Sequence, residues 1–156
     1  MAMLGVGAAC SSFELKSAGG GTESSRKILE KGPALLFFFK VSCPVCQMTA
    51  PYIDRLAAGG AVQVIGISQD DTDSTRVFNG RYGVTFPVLL DESRVGYPVS
   101  NYFGISTVPS LFLVETDGTI STAFSGFSKL DLEALGERMS VPPFLPDEKV
   151  PAFRAG

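Results

Sequence analysis

The residues with the clearest chemical potential are Cys43 and Cys46, which flank Pro44 and Val45 in the sequence Cys-Pro-Val-Cys. Two thiols at this spacing lie one helical turn apart, so their Cα atoms fall at roughly 5 to 6 Å, within the range that a disulfide requires. A thiolate at the first position can attack a disulfide, and the second thiol can then attack the mixed disulfide and release it. The spacing therefore predicts thiol–disulfide exchange, with Cys43 attacking and Cys46 resolving.

The position of the pair within the predicted elements supports this chemistry. Cys43 follows an apolar run and precedes Pro44, a residue that is favoured in the first turn of a helix. A cysteine at a helix N-terminus faces unpaired backbone N–H groups and the positive end of the helix dipole, and both favour the thiolate form. Lys40 would add to this effect if its side chain turned toward the sulfur.

Three structural roles compete with a redox role for the pair. Closing a ring of four residues restricts the unfolded chain by only about 2 kcal/mol, so the pair would be a weak covalent staple. A zinc site needs further ligands, and the sequence has no histidine, no second Cys-x-x-Cys and only one other cysteine, Cys10. Two inert core thiols are not expected beside a proline at the end of a strand. We therefore predict a redox function for Cys43 and Cys46, and no role for Cys10 beyond that of a small apolar side chain.

The composition excludes several other classes of function. The chain has 156 residues and a net charge of −3, without the basic stripe that binds nucleic acid. The absence of histidine rules out Ser-His-Asp and Cys-His catalysis. No apolar run approaches the ~20 residues that span a bilayer, and the first residues do not form a secretory signal. We predict a chain without a membrane segment, cytoplasmic as written and periplasmic if an export signal precedes this sequence. We also expect a monomer.

The order of the predicted elements is typical of an α/β domain with a central mixed sheet. The run 34–41 is apolar without alternation, as in a strand that is buried on both faces. A helix over 44–58 and a β-branched strand over 61–68 complete a right-handed βαβ unit. The further predictions are an N-terminal hairpin with its loop at 17–25, a helix within 70–83, a short strand within 86–91, a short helix or turn within 96–104, a hairpin turning at Asp117-Gly118, a final helix from Ser128 to about Met139, and an extended surface tail from 141.

Several stretches besides the two cysteines resemble one known superfamily. These are CQMTAP (46–51), VIGISQDD (64–71), YGVTFPVLLD (82–91) and FGISTVPSLFLVETDGTI (103–120), which are similar to segments of thioredoxin-like proteins, specifically the TlpA-like redoxins. The resemblance implies a thioredoxin-like domain over 1–140 with an N-terminal hairpin extension, followed by the proline-rich tail 141–156. It also implies a thiol–disulfide oxidoreductase that acts on protein disulfides or dithiols, exchanges electrons with a further donor or acceptor, and uses no cofactor or metal.

The same resemblance assigns a role to Pro109. It matches the cis-proline of the family, which packs against the two sulfurs. A cis bond at this position would turn the backbone of Val108 outward, where it can pair with an extended substrate segment. The resemblance therefore implies that Val108 and Pro109 bind the substrate.

Three positions depart from the family pattern. Ser42 stands where the family usually has a tryptophan before the first cysteine. Phe37 stands at the position of the buried aspartate of thioredoxin, and Thr49 at the position of the glutamate of some TlpA-like reductases. The proton acceptor for the resolving thiol is therefore open between Asp70, Lys40 and a water molecule. The direction of electron flow is open as well, because Pro44-Val45 is neither the usual thioredoxin pair nor the usual oxidase pair. The potentials of such proteins span ~150 mV.

Three other functions stay as alternatives. A peroxiredoxin has a proline and a hydroxyl residue at fixed positions before its reactive cysteine, and these positions fall on Leu36 and Lys40 or on Phe39 and Cys43, neither of which fits. A Cu(I) carrier could use the two thiolates, since soft ligands select that ion. A non-enzymatic adaptor could use the scaffold alone.

Overall fold

The computed structural model describes residues 2–156 of the chain. Within these residues the strands are Glu14–Ser17 (β1), Thr22–Ser24 (β2), Ala34–Phe39 (β3), Gln63–Ser68 (β4), Val88–Leu90 (β5), Ser110–Val114 (β6), Ile120–Ser125 (β7), Phe127–Ser128 (β8) and Phe153–Arg154 (β9). The helices are Ser25–Glu30 (α1), Pro44–Ala57 (α2), Thr72–Tyr82 (α3), Pro98–Phe103 (α4) and Lys129–Met139 (α5), with a short 3-10 helix at Ser93–Val95.

Seven strands form one mixed sheet in the order β2-β1-β5-β4-β3-β6-β7. Strands β3, β4 and β5 run parallel to one another, and β6, β7, β1 and β2 pair antiparallel with their neighbours. Strands β8 and β9 form a separate two-stranded sheet. The predicted α/β class with a central mixed sheet flanked by helices is confirmed, and so are the N-terminal hairpin and the β3-α2-β4 unit.

Strand β3 lies at the centre of the sheet, and all six of its residues are buried. Its side chains alternate between two cores, because successive residues of a strand point to opposite faces. Phe37 and Phe39 belong to the core beneath α2 and α5, where their rings stack with centroids 5.2 Å apart. Phe38 belongs to the opposite core and packs against Phe103 of α4. This two-sided burial explains why the run lacks alternation.

The prediction for residues 40–41 and for part of the first loop was wrong. Strand β3 ends at Phe39, because the Val41 amide donates to the Asp70 carboxylate at 2.8 Å instead of joining a ladder. Residues 22–25, predicted as loop, form β2 and the start of α1. Ser24 pairs with Glu14 and also caps α1, accepting a hydrogen bond from the Lys27 amide.

The tail 141–156 follows α5 and packs along the face formed by α2, α5 and β8. Pro143 is buried, and the ring of Phe144 contacts Tyr52 with centroids 5.0 Å apart. Arg55 of α2 donates to the Pro143 carbonyl at 2.9 Å and forms a two-pronged ion pair with Glu148. The division of the chain at residue 140 stays a prediction, and the tail is fixed to the preceding residues by these contacts.

The Arg55–Glu148 pair gives a pH prediction for the tail. Hydrogen bonds from Arg55 and from the Leu145 amide lower the pKa of Glu148 from its ordinary value of 4.5 to about 2. Because the pKa is lowered in the folded chain, the pair holds the tail fully above pH 4.5 and loses its hold as the pH falls toward 2. We expect the Leu145 amide NMR signal to titrate with a midpoint near pH 2. The transition should vanish in Glu148→Gln, and a midpoint at the ordinary value would contradict the assignment.

Candidate active site

Cys43 lies at the junction between the central sheet and α2. It is the N-cap residue of the helix, with extended backbone angles (φ −83°, ψ 113°), and Pro44 follows at the first helical position. The helix runs from Pro44 to Ala57, within one residue of the prediction. Its apolar face, which includes Cys46, Ala50 and Ile53, is fully buried against the sheet. The sheet thus fixes the helix, and the helix start fixes Cys43 at the rim.

The sulfur of Cys43 makes two polar contacts. It accepts a hydrogen bond from the Cys46 amide at 3.1 Å, which is the N-cap interaction predicted for this position. Its S–H donates to the carbonyl oxygen of Val108 at 3.4 Å, a contact between residues 65 positions apart. A thiolate at this position would keep the amide donor, which stabilises negative charge on sulfur.

The thiol of Cys46 lies beneath Cys43 and has no solvent-exposed surface. Burial strongly raises the pKa of Cys46, and the hydrogen bond to Cys43 and the negative charge of Asp70 raise it further, while a backbone hydrogen bond with Lys40 opposes the shift. Both cysteines are free thiols. Cys46 is therefore held in its protonated form until a base removes the proton.

The Val108–Pro109 peptide bond is cis, as predicted. Pro109 is buried and Val108 is partly buried, and the Pro109 carbonyl accepts a hydrogen bond from the Gly126 amide at 2.8 Å. Among residues 2–156, none accepts a hydrogen bond from the Val108 amide. The structure thus brings Cys43, Cys46, Val108 and Pro109 together at one rim of the molecule.

The three positions that depart from the family pattern have other partners here. Ser42 is exposed, so no large side chain shields the sulfur on that side. Phe37 lies in the core, and the Thr49 hydroxyl donates to the Val45 carbonyl at 2.6 Å within its own helix. Of the proposed proton acceptors, Asp70 acts electrostatically on Cys46, whereas the Lys40 ammonium lies 5.9 Å from the Tyr97 ring centroid.

Cys10 does not join the site. Its amide donates to the Gly118 carbonyl at 2.8 Å in a segment that packs against the turn between β6 and β7. Sequence reasoning missed Gly126, whose amide holds Pro109 and whose φ of +79° suits glycine. The available signal was a glycine shortly before the predicted helix cap at Ser128. This signal did not indicate that the glycine amide would bind Pro109.

The burial of the three thiols predicts their order of alkylation. Cys43 is partly exposed, Cys46 is fully buried, and burial raises the pKa of Cys10 to about 11. At pH 7.5 we expect one equivalent of iodoacetamide to modify Cys43 at least about ten times faster than either other thiol, because only an accessible thiolate reacts. Peptide mapping by mass spectrometry at successive times measures the order. Earlier modification of Cys46 would show that the site opens differently.

Comparison with known proteins identifies the family of this chain. Residues 6–123 match the AhpC/TSA family. The chain belongs to the AhpC/TSA family. This redoxin assignment agrees with the resemblance seen in the sequence and with the thioredoxin-like fold.

Individual relatives in and around this family carry two kinds of name. "Thiol-disulfide oxidoreductase ResA" of Halalkalibacterium halodurans is 27% identical over 118 residues, which are 73% of this chain and 65% of ResA. "Putative peroxiredoxin bcp" of Helicobacter pylori is 26% identical over 137 residues, covering 80% of this chain and 90% of bcp. The structure of a secreted Mycobacterium tuberculosis disulfide oxidoreductase is 25% identical, with a TM-score of 0.68 over 82% of this chain and 94% of that one.

Three further findings concern the length of the match, the helices and possible metal sites. The chain spans 65% and 58% of the lengths of the two ResA proteins that it matches. No helix within residues 2–156 combines the length and the apolar character that crossing a membrane requires. In the same residues, no three His, Cys, Asp or Glu side chains gather closely enough to hold a metal ion.

Proposed function

We propose that this redoxin is a thiol–disulfide oxidoreductase in which Cys43 attacks and Cys46 resolves. The Cys43 thiolate attacks one sulfur of a protein disulfide, forming a mixed disulfide and releasing the other substrate sulfur as a thiolate. Cys46 then loses its proton and attacks the Cys43 sulfur, which closes the Cys43–Cys46 disulfide and releases the second substrate thiolate. Two electrons pass to the substrate, and a dithiol donor must return them. The reverse sequence oxidises a substrate dithiol.

One observation carries the proposal. The Cys43 sulfur lies at the rim and accepts a hydrogen bond from the Cys46 amide at 3.1 Å, and the Cys46 thiol is buried below it. The partly exposed Cys43 sulfur is open to a substrate sulfur, and the amide donor favours the attacking thiolate. The buried position protects the resolving thiol from solvent, and its hydrogen bond with Cys43 keeps it within reach of the attacking sulfur. A structural pair would need neither this difference in exposure nor the amide contact.

We assign proton removal from Cys46 to Asp70. Its negative charge acts on the Cys46 thiol, and its carboxylate is fixed by the Val41 amide at 2.8 Å. A carboxylate can act as the base for such a proton transfer. It would take the place of the aspartate and glutamate of the family pattern, where this chain has Phe37 and Thr49.

We assign substrate docking to Val108 and Pro109. The Val108 amide has no acceptor among residues 2–156, and an extended peptide can supply one by strand addition. The Val108 carbonyl lies 3.4 Å from the Cys43 sulfur, so a docked segment would carry its own cysteine to the attacking atom. The natural substrate is therefore proposed to be a protein with an accessible disulfide or dithiol.

Insulin reduction with dithiothreitol as the electron donor tests the proposal, because reduced insulin chains precipitate and scatter light. We expect the chain to accelerate precipitation clearly above the rate with dithiothreitol alone. Cys10→Ser serves as the control that should leave the rate unchanged. The reduction potential of the Cys43–Cys46 pair, measured against glutathione, then decides the direction: a value near −270 mV indicates a reductant and one near −120 mV an oxidant.

Peroxide reduction is the second candidate, because the match to the peroxiredoxin bcp extends over 90% of that protein. The positions before Cys43 and Cys46 lack the expected proline and hydroxyl residues, so we expect slow peroxide consumption with thioredoxin as reductant. Peroxide consumption faster than insulin reduction would reverse this ranking. Stoichiometric Cu(I) binding without disulfide turnover would support the carrier alternative.

Further proposals concern the location, the domain division and the assembly of the chain. The Mycobacterium tuberculosis relative is described as secreted, which favours the periplasmic alternative over the cytoplasmic one. The seven-stranded sheet and helices α1 to α5 all end before residue 140, which supports the division into one domain over 1–140 and the tail. We propose that the chain acts as a monomer, which light scattering measures directly.

A further inference from the structure

The tail reaches the proposed docking residues. Strand β9 pairs antiparallel with β8, with Phe127 opposite Arg154 and Ser128 opposite Phe153. The Lys129 amide also donates to the Ala152 carbonyl at 3.0 Å. Beyond β9, the backbone at Gly156 lies against the Val108 carbonyl. The tail therefore runs from β9 to the dipeptide that is proposed to hold the substrate.

Two glycines make this close approach possible. A Cβ at Gly156 would overlap the Val108 carbonyl oxygen and lie 3.2 Å from Pro109 Cδ. A Cβ at Gly126 would lie 3.1 Å from the Phe153 ring and would also collide with the Arg154 carbonyl. The Gly126 amide donates a hydrogen bond to the Pro109 carbonyl. Gly126 therefore contacts both the tail and the proposed docking dipeptide.

The Val108 carbonyl is in contact with both the tail and the attacking thiol. Gly156 contacts the Val108 carbonyl from one side, and the Cys43 S–H donates to it at 3.4 Å. A substrate segment that pairs with the Val108 backbone would need the space that the tail occupies. Gly156 and a substrate strand cannot both lie over the Val108 carbonyl.

On the basis of the proposed function, we propose that the segment 150–156 occupies the surface on which an extended substrate segment docks. The site then engages a protein substrate only after this segment is displaced. The surface accepts an extended strand with a small residue over Val108, since the chain itself places Gly156 there.

The way the tail is held fits a displaceable occupant. Its first part is fixed by buried Pro143 and by the Arg55–Glu148 ion pair. Residues 152–156 are exposed, and Phe153 keeps 57% of its surface in solvent although it belongs to β9. The last residues can therefore leave while the anchor stays in place, and they return at the high effective concentration of a tethered segment, on the order of mM.

Peptide binding tests the occupancy without any redox step. A fluorescein-labelled peptide of residues 149–156 (KVPAFRAG) is titrated into the full chain and into a variant that lacks 150–156, and anisotropy is recorded. We expect the full chain to bind the peptide about tenfold more weakly, as for a surface that is free one tenth of the time. Equal affinities, or no binding to the shortened variant, would overturn the proposal.

A full-length variant guards against misfolding of the shortened one. Gly156→Val should collide with the Val108 carbonyl and displace the last residues, so its affinity for the peptide should rise above that of the unchanged chain. Gly80→Val is the matched control, because a Cβ at this exposed position of α3 meets no atom within 4 Å. A rise of equal size in Gly80→Val would count against the proposal.

Insulin reduction then tests whether the surface is that of the substrate. We expect the KM for insulin to fall about tenfold in the shortened variant, while the rate with the small disulfide DTNB changes less than about twofold. Reduction of both disulfides with an unchanged insulin KM would contradict the tail proposal alone. Failure of every variant to reduce either disulfide would contradict the proposed function itself.

Discussion

Replacing Cys43 by serine is expected to lower the part of the insulin reduction rate that the chain catalyses by about a thousandfold or more, so that only the rate of dithiothreitol alone is left. A serine hydroxyl at the N-cap keeps the hydrogen bond from the Cys46 amide, so the helix start is preserved. The hydroxyl is not ionised at neutral pH and cannot form a mixed disulfide, so the first bond-forming step is lost. Light scattering of insulin and single-turnover reaction with DTNB both measure the loss.

Replacing Cys46 by serine should give a different phenotype. The first step survives, because Cys43 keeps its exposure, but the mixed disulfide then lacks the thiol that resolves it. We expect turnover to stop after one equivalent of released thiol and a covalent adduct at Cys43, visible by mass spectrometry under non-reducing conditions. Cys10→Ser should behave as the unchanged chain. Activity in Cys43→Ser would refute the assigned order of attack, and unchanged behaviour in every assay would favour the adaptor alternative.

The parts of the site that the sequence predicts are those with local signals. Three signals lie close together in the sequence: the apolar run, the proline after Cys43 and the spacing of Cys43 and Cys46. They indicate a buried strand, a helix start and a reactive pair, respectively. The meeting of Cys43 with Val108 spans 65 positions. Only the family resemblance could anticipate it, because no local pattern specifies which loop faces a helix start.

The path of the tail could not be read from the sequence. Its prolines correctly exclude a helix, but burial of Pro143 depends on Gly136, where a Cβ would lie 2.6 Å from the proline ring. Strand β9 has only two residues, too few for periodicity to indicate a partner. A proline-rich segment is thus easily predicted as extended, whereas the surface that it covers is set by tertiary contacts.

Asp91 is a second residue whose role the sequence did not indicate. It ends the predicted strand within 86–91, where an acidic residue is typical of a turn to solvent. In the structure it is fully buried, and its carboxylate accepts hydrogen bonds from the amides of Val99 and Ser100 at 3.1 and 2.7 Å. Helix α4 starts with Pro98, which has no N–H, and its N-cap Tyr97 makes no side-chain cap. Asp91 therefore caps α4 from outside the helix.

Replacing Asp91 by alanine is expected to lower the free energy of unfolding by about 3 kcal/mol, since two buried N–H groups lose a charged acceptor. For a chain of this size, this corresponds to a fall in Tm of roughly 6 to 12 °C. Urea denaturation and a thermal melt followed by circular dichroism measure both quantities. Because α4 leads into the loop that carries Val108, insulin reduction should also weaken under conditions where the variant is still folded.

The neighbouring acid provides the matched control for this prediction. Glu92 forms a single contact with Arg94 at 3.3 Å, and the Arg94 side chain is 63% exposed. Solvent screens a pair that is open on one side, so we expect it to contribute about 1 kcal/mol or less. Glu92→Ala removes the same charge one residue away and leaves its backbone carbonyl free to accept the Val95 and Tyr97 amides as before. We expect its unfolding transition to stay close to that of the unchanged chain. Equal destabilisation by the two substitutions would show that negative charge in this segment matters, rather than the cap that the Asp91 carboxylate provides to α4.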